Sequence, residues 1–153
     1  RTEELEEKIL SQDVVYVGGG NTKSMLAVWK DWDLNLILKK AYDNGIIMSG
    51  VSAGAICWFE KGITDSYAKN LEIINCLGFV KGIACPHFDE EKEREPYVNN
   101  LINRDLINSC ICIEGYSALH ISKNGFKTIN FGDNKKCFKL YKENNKILKK
   151  FFK

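Results

Sequence analysis

Ile46-Ile47-Met48-Ser49-Gly50-Val51-Ser52-Ala53-Gly54 runs from an apolar triplet into the pattern G-x-S-x-G. The triplet reads as a short buried strand, and Ala55 to Glu60 reads as the helix after it. Between them, the two glycines permit a sharp turn that holds Ser52 exposed at the helix start. The backbone amide after the serine then faces an oxyanion. The same five residues also describe an ordinary tight turn, so a nucleophile here needs a base and an acid elsewhere in the chain.

Only His87 and His120 are available as bases. His87 follows Pro86 at the end of a predicted strand, Ile83-Ala84-Cys85, where side chains reach a functional cleft. His120 lies in the alternating run Ala118-Leu119-His120-Ile121-Ser122, which reads as a hairpin face. The orienting acid is Glu114, at another strand end, or Asp65 or Glu60, nearer the serine in sequence. A further turn, Gly18-Gly19-Gly20-Asn21, follows the apolar run Val14-Val15-Tyr16-Val17. It is neither G-x-G-x-x-G nor a P-loop. It reads best as a loop that donates a backbone amide beside Ser52.

The rest of the chain gives an alternating order. Residues 2–10 read as a helix, Val14–Val17 as a strand buried on both faces, and Lys23–Trp29 as a helix capped by Asn21. A helix over Leu34–Asn44 stops at Gly45. Pro96 suits the first turn of a helix running to Ile107, and Ser109–Ile113 reads as a strand. Ala118–Ser122 and Phe126–Phe131 flank Lys123-Asn124-Gly125 as a hairpin, and a second hairpin turns at Glu143-Asn144-Asn145. This is an α/β pattern: a three-layer, mostly parallel sheet with flanking helices and carboxy-terminal β-hairpins. The first strand has few neighbours to bury it, so an amino-terminal part of the domain is expected to be missing.

Composition narrows the function classes. The 153 residues are 44% hydrophobic and 27% charged, enough for one domain with a core. A net charge of +2 gives no global pull toward nucleic acid or membrane. Residues 123–153 hold ten lysines against Asp133 and Glu143, but those lysines alternate with apolar residues, as on half-exposed strands. No run approaches the ~18 apolar residues of a spanning helix. The six cysteines sit in apolar runs with no Cys-x-x-Cys, so they read as free core thiols in a reducing, cytoplasmic setting. With two histidines there is little to hold a metal, and no cofactor is expected.

Four separated motifs, Tyr16 to Thr22, Ser52 to Ala55, Pro86 to Phe88 and Glu114-Gly115, together resemble the dipeptidase E family. These are serine peptidases on a class I glutamine amidotransferase-like scaffold. The resemblance implies a triad of Ser52, His87 and Glu114 and oxyanion donors at the amides of Gly20 and Ala53. It also implies substrate binding by Arg94, on the segment after the histidine, although that segment is shorter than in aspartyl dipeptidases. The family's elements before the glycine-rich turn are lacking here, in line with the orphaned first strand. The expected partner is a short peptide, with no nucleic acid or membrane, and a homo-oligomer is compatible. Two alternatives remain: a noncatalytic binding module of the same fold, and a thiol amidotransferase relative, disfavoured by serine at the elbow.

Overall fold

The computed structural model describes residues 2–67 and 70–153. The chain divides into two compact units, residues 1–81 and 82–153. The first holds α1 (Thr2–Leu10), β1 (Val14–Val17), α2 (Thr22–Asp31), α3 (Leu34–Asp43), β2 (Ile47–Gly50), α4 (Ala53–Ile56), β3 (Phe59–Tyr67) and β4 (Asn70–Asn75). β1 and β2 are parallel, in register from Val14↔Ile47 to Val17↔Gly50, and α2 and α3 form the crossover that parallel pairing requires. Asn21 caps α2, its Oδ1 accepting from Ser24 N at 2.9 Å. α3 ends in a left-handed Gly45 (φ 84°). Bonds from Gly45 N to Tyr42 O and from Ile46 N to Ala41 O satisfy its last carbonyls.

The inner face of this pair supplies the first unit's core. Leu38, Cys57 and Trp58 are buried, and Val15, Val17, Met25, Leu26, Trp29, Leu34, Met48, Leu77 and Phe79 pack on them. The outer face corrects the expectation of burial on both sides. Val14 is 49% exposed, Tyr16 67% and Ile47 61%, because the helices of the crossover pack on one side only and alternate residues point away from them.

A second correction concerns the helix after Ser52, which is a single turn ending at Ile56 rather than reaching Glu60. The carbonyls of Cys57, Trp58 and Phe59 accept from Leu77, Val80 and Gly78 at 2.8–2.9 Å. They are therefore not free to continue a helix. Phe59 instead opens β3, which pairs antiparallel with β4, a hairpin the sequence reading did not include.

The second unit follows from β5 (Val80–Cys85), whose first residues belong to the first unit. It continues with α5 (Arg94–Asn103), β6 (Ser109–Ile113), β7 (Ser117–Ser122), β8 (Gly125–Asn130), β9 (Cys137–Glu143) and β10 (Lys146–Phe151). β5 and β6 are parallel through Ala84↔Ile111 and Cys85↔Cys112. β6 pairs antiparallel with β9, and β9 with β10. Asn144 and Asn145 both take positive φ in the last turn (49° and 60°), the conformation a two-residue hairpin loop needs. β7 and β8 form the other hairpin. The core gathers Phe88, Val98, Ile102, Cys110, Ile111, Cys112, Phe138 and Leu140, with Phe88 edge-on to Phe138 at 5.4 Å. Parallel pairs joined through helices, with antiparallel hairpins at the carboxyl end, make the α/β class expected from the sequence.

Candidate active site

In the first unit the elbow is built by close backbone approach. A Cβ added at Gly54 would lie 2.1 Å from Val17 O, and one at Gly50 would lie 2.3 Å from Gly54 O. Only glycine fits at either position, so the turn into α4 is pressed against the end of β1. Ser52 sits between them at φ 55°, ψ −116° and makes no side-chain capping bond. That backbone conformation is costly for a residue with a Cβ, and such strain concentrates at functional positions. Among the described residues the Ser52 hydroxyl has no hydrogen-bond partner, and the residue is half-buried.

Gly19 lies beside it: a Cβ built there would be 3.4 Å from Ser52 Cβ and 3.9 Å from Ser52 Oγ. The glycine loop is thus adjacent to the nucleophile, as its sequence suggested. Gly20 follows at φ 154° with open space around its Cα. The loop is held by hydroxyls that the sequence reading passed over. Thr22 N donates to Ser66 Oγ at 2.8 Å, Ser66 Oγ and Thr64 Oγ1 are 2.8 Å apart, and Thr64 Oγ1 donates to Thr22 Oγ1 at 3.3 Å. Thr22 and Thr64 are buried. Asp65 and Glu60, the alternative acids, take exposed positions on β3.

In the second unit, His87 follows β5 by two residues, in a left-handed conformation (φ 52°). Its carbonyl accepts from Glu90 N and Glu91 N, both at 3.1 Å, closing a tight turn. The neighbouring Phe88 is tied to β6 by a bond from its N to Ile113 O at 3.1 Å. His87 Nδ1 lies 2.7 Å from Glu90 Oε2. Glu114 is directed elsewhere, its Oε2 accepting from Lys136 N at 2.8 Å. His120 is exposed on β7, opposite Lys127.

The acidic residues that follow His87 take different partners. Asp89 Oδ1 accepts from Gly115 N at 2.8 Å and its other oxygen pairs with Lys135. Glu91 accepts from Arg94 Nε at 2.7 Å. Arg94 itself is only 2% exposed, enclosed at the start of α5 rather than open to a substrate carboxylate. Burial opposes its charge, but Glu91 and the nearby Cys85 more than offset that and hold its pKa above the usual value.

For Asp89, burial works against ionisation, while the bonds from Lys135 and Gly115 prevail and lower its pKa. A carboxyl depressed in the folded state adds stability above its unfolded value, and that stability is lost as pH falls through the folded value. Asp89→Asn is expected to cost on the order of 1 kcal/mol at neutral pH, after discounting for partial exposure. The difference from wild type should shrink in acid. Urea unfolding at neutral and strongly acidic pH checks this, and an equal gap at both would reject the charge-based account.

The sequence profile of peptidase family S51 matches residues 1–129. The chain belongs to peptidase family S51. It is 41% identical over 140 residues to an uncharacterised peptidase of Bacillus subtilis (strain 168), YgaJ, covering 91% of this chain and 60% of that protein. The chain thus spans about three fifths of that relative's length. Two crystal structures share the fold. A candidate peptidase E protein from Listeria monocytogenes EGD-e aligns with a TM-score of 0.65 at 20% identity, over 85% of this chain and 65% of the other. A peptidase from an acI-B1 Actinobacterium aligns with a TM-score of 0.64 at 14% identity, over 98% of this chain and 61% of the other. The resemblance carried by the four motifs is borne out at the level of family and fold.

Proposed function

We propose that the S51 protein carrying this chain is a serine-type peptidase that hydrolyses dipeptides or short peptides near their amino terminus. In this reading Ser52 Oγ attacks the scissile carbonyl and His87 takes its proton. His87 then delivers that proton to the leaving amine, and water repeats the cycle on the acyl-enzyme. The amides of Gly20 and Ala53 receive the oxyanion. Neither has an acceptor among the described residues, so neither must break a bond to do so.

The observation that carries the proposal is the strained, uncommitted Ser52, wedged by two irreplaceable glycines beside the Gly19–Gly20 loop. Family membership supports the same reading. Labelling with a fluorophosphonate probe, followed by mapping of the modified residue, tests the nucleophile. A dipeptide panel varied at the amino-terminal residue tests the substrate class. Labelling at Ser52 with turnover of dipeptides is the expected result. A chain that takes no label and cleaves no peptide would instead be a binding module of this fold.

A further inference from the structure

We propose that Ser66, near the end of β3, is a positioning residue for the oxyanion hole, fixing the glycine loop from which the Gly20 amide is offered. The inference rests on the serine-peptidase reading and deepens it. Gly18-Gly19-Gly20 lets the backbone come close to Ser52, but three glycines in a row leave that backbone free to wander. An amide stabilises an oxyanion well only if it is already aimed when the charge develops. A neighbouring element must therefore hold the loop, because its glycines have no side chains to do so.

The hold is a ring of hydroxyls with one consistent direction. Thr64 Oγ1 donates to Thr22 Oγ1 at 3.3 Å, and a hydroxyl has a single proton. Across the 2.8 Å contact, Ser66 Oγ must therefore donate to Thr64 Oγ1. Its lone pairs are left to accept from Thr22 N at 2.8 Å, which closes the ring on the residue where it began. Thr22 N is one of the first amides of α2, a donor with no partner inside the helix. Thr22 and Thr64 are each 2% exposed, so water does not readily replace a lost bond there. Asn21 adds a second tie to β3: its Oδ1 caps α2 through Ser24 N, and its Nδ2 donates to Ser66 O at 3.3 Å. Lys23 Nζ sits 4.6 Å from the centre of the Tyr67 ring. Asn21, Thr22 and Lys23, directly after the three glycines, are thus all fastened to Ser66 or Tyr67. Thr64 and Ser66 both reach Thr22 while Asp65 between them is exposed, as alternation along a strand requires.

In the full chain, Ser66→Ala is expected to lower kcat for a cleaved dipeptide by about 10–10²-fold with little change in KM, short of the roughly 10²–10³-fold that loss of an oxyanion donor itself costs. An amino boronic acid forms a tetrahedral adduct with an oxygen where the oxyanion develops. Its Ki should rise by the factor that kcat/KM falls. A residue that only supported the fold would not link those two quantities. Ser66→Thr, which keeps the hydroxyl, should restore most of the rate. Thr64→Val keeps the packing and removes only the oxygen that orients Ser66, so it should slow turnover severalfold. Nitrogen-15 relaxation of the Gly20 amide reads the loop without any substrate. Its order should fall in Ser66→Ala, fall less in Thr64→Val, and return in Ser66→Thr.

An equally ordered Gly20 amide in a folded Ser66→Ala would overturn the proposal. So would a fall in kcat with no change in boronate affinity, since the loop would then serve something other than the oxyanion. Where Ser66→Ala does not fold, an unaltered Gly20 amide in Thr64→Val has the same force. If the Gly20 amide loosens as expected but the wild type takes no fluorophosphonate label at Ser52, the hold on the loop stands and the peptidase reading fails.

Discussion

Ser52→Ala should abolish turnover while leaving the folded state as stable as before. Removing the nucleophile of a serine triad costs on the order of 10⁶-fold in kcat. Alanine keeps the Cβ that makes φ 55°, ψ −116° unfavourable, so the strain at the elbow stays. Ser52→Gly separates the two effects. Glycine adopts this conformation without the steric cost, on the order of 1–3 kcal/mol, but loses more chain entropy on folding. The net expectation is an inactive protein stabilised by about 1 kcal/mol. Thermal unfolding beside a dipeptide assay reads both quantities. Substantial turnover in the alanine variant would remove Ser52 from the chemistry, and a destabilised glycine variant would show that the elbow is not strained.

The second large effect falls on the glycines. In Gly54→Ala the new methyl would sit 2.1 Å from Val17 O and 2.7 Å from Gly18 O, and both atoms are backbone. No rotamer change relieves that contact. Either α4 lifts from the end of β1 or the β1–β2 ladder breaks, where Val51 N bonds Val17 O at 3.1 Å. A loss of at least about 3 kcal/mol is expected, at the severe end for overpacking. Gly18→Ala is the control, since nothing lies within 4 Å of a Cβ there, and it should change stability by less than about 0.5 kcal/mol. Equal losses in the two variants by urea unfolding would mean that close approach is not what glycine serves at position 54.

The parts of the fold that sequence made legible are those whose signal is local. Ser109–Ile113 reads as a strand because Cys110 to Ile113 is an uninterrupted apolar run, and Gly45 marks the end of α3 because the left-handed position there favours glycine. The β3–β4 hairpin was hidden for the opposite reason. Phe59 to Tyr67 mixes Glu60, Lys61, Gly62 and Asp65 into the strand, and no Asn-Gly or Asp-Gly separates it from β4. Its pairing with the strand that follows it therefore leaves little local signal in the sequence. β1 was over-buried in the reading because four apolar residues in a row carry no sign of which face is covered.

The candidate site divides the same way. Gly50, Ser52 and Gly54 announce themselves by spacing. The link from His87 to Glu90 does not, since a dense acidic run looks like solvated surface until the turn places each carboxylate on a different partner. Arg94 was placed by resemblance, and its enclosure by Glu91 depends on packing at the start of α5.

The six unpaired cysteines have a consequence for how the protein can be probed. Five are buried. Burial pushes the thiol of the sixth, Cys76, up to about 12 and raises those of Cys57, Cys85, Cys110 and Cys137 as well. Because the thiolate is the form that reacts, a group at about 12 is ionised to roughly one part in 10⁴ at pH 8. The native chain is therefore nearly silent toward alkylating reagents while folded. A single cysteine installed at an exposed position would be modified almost alone, which makes site-directed attachment of a fluorophore or spin label practical without first stripping the native thiols.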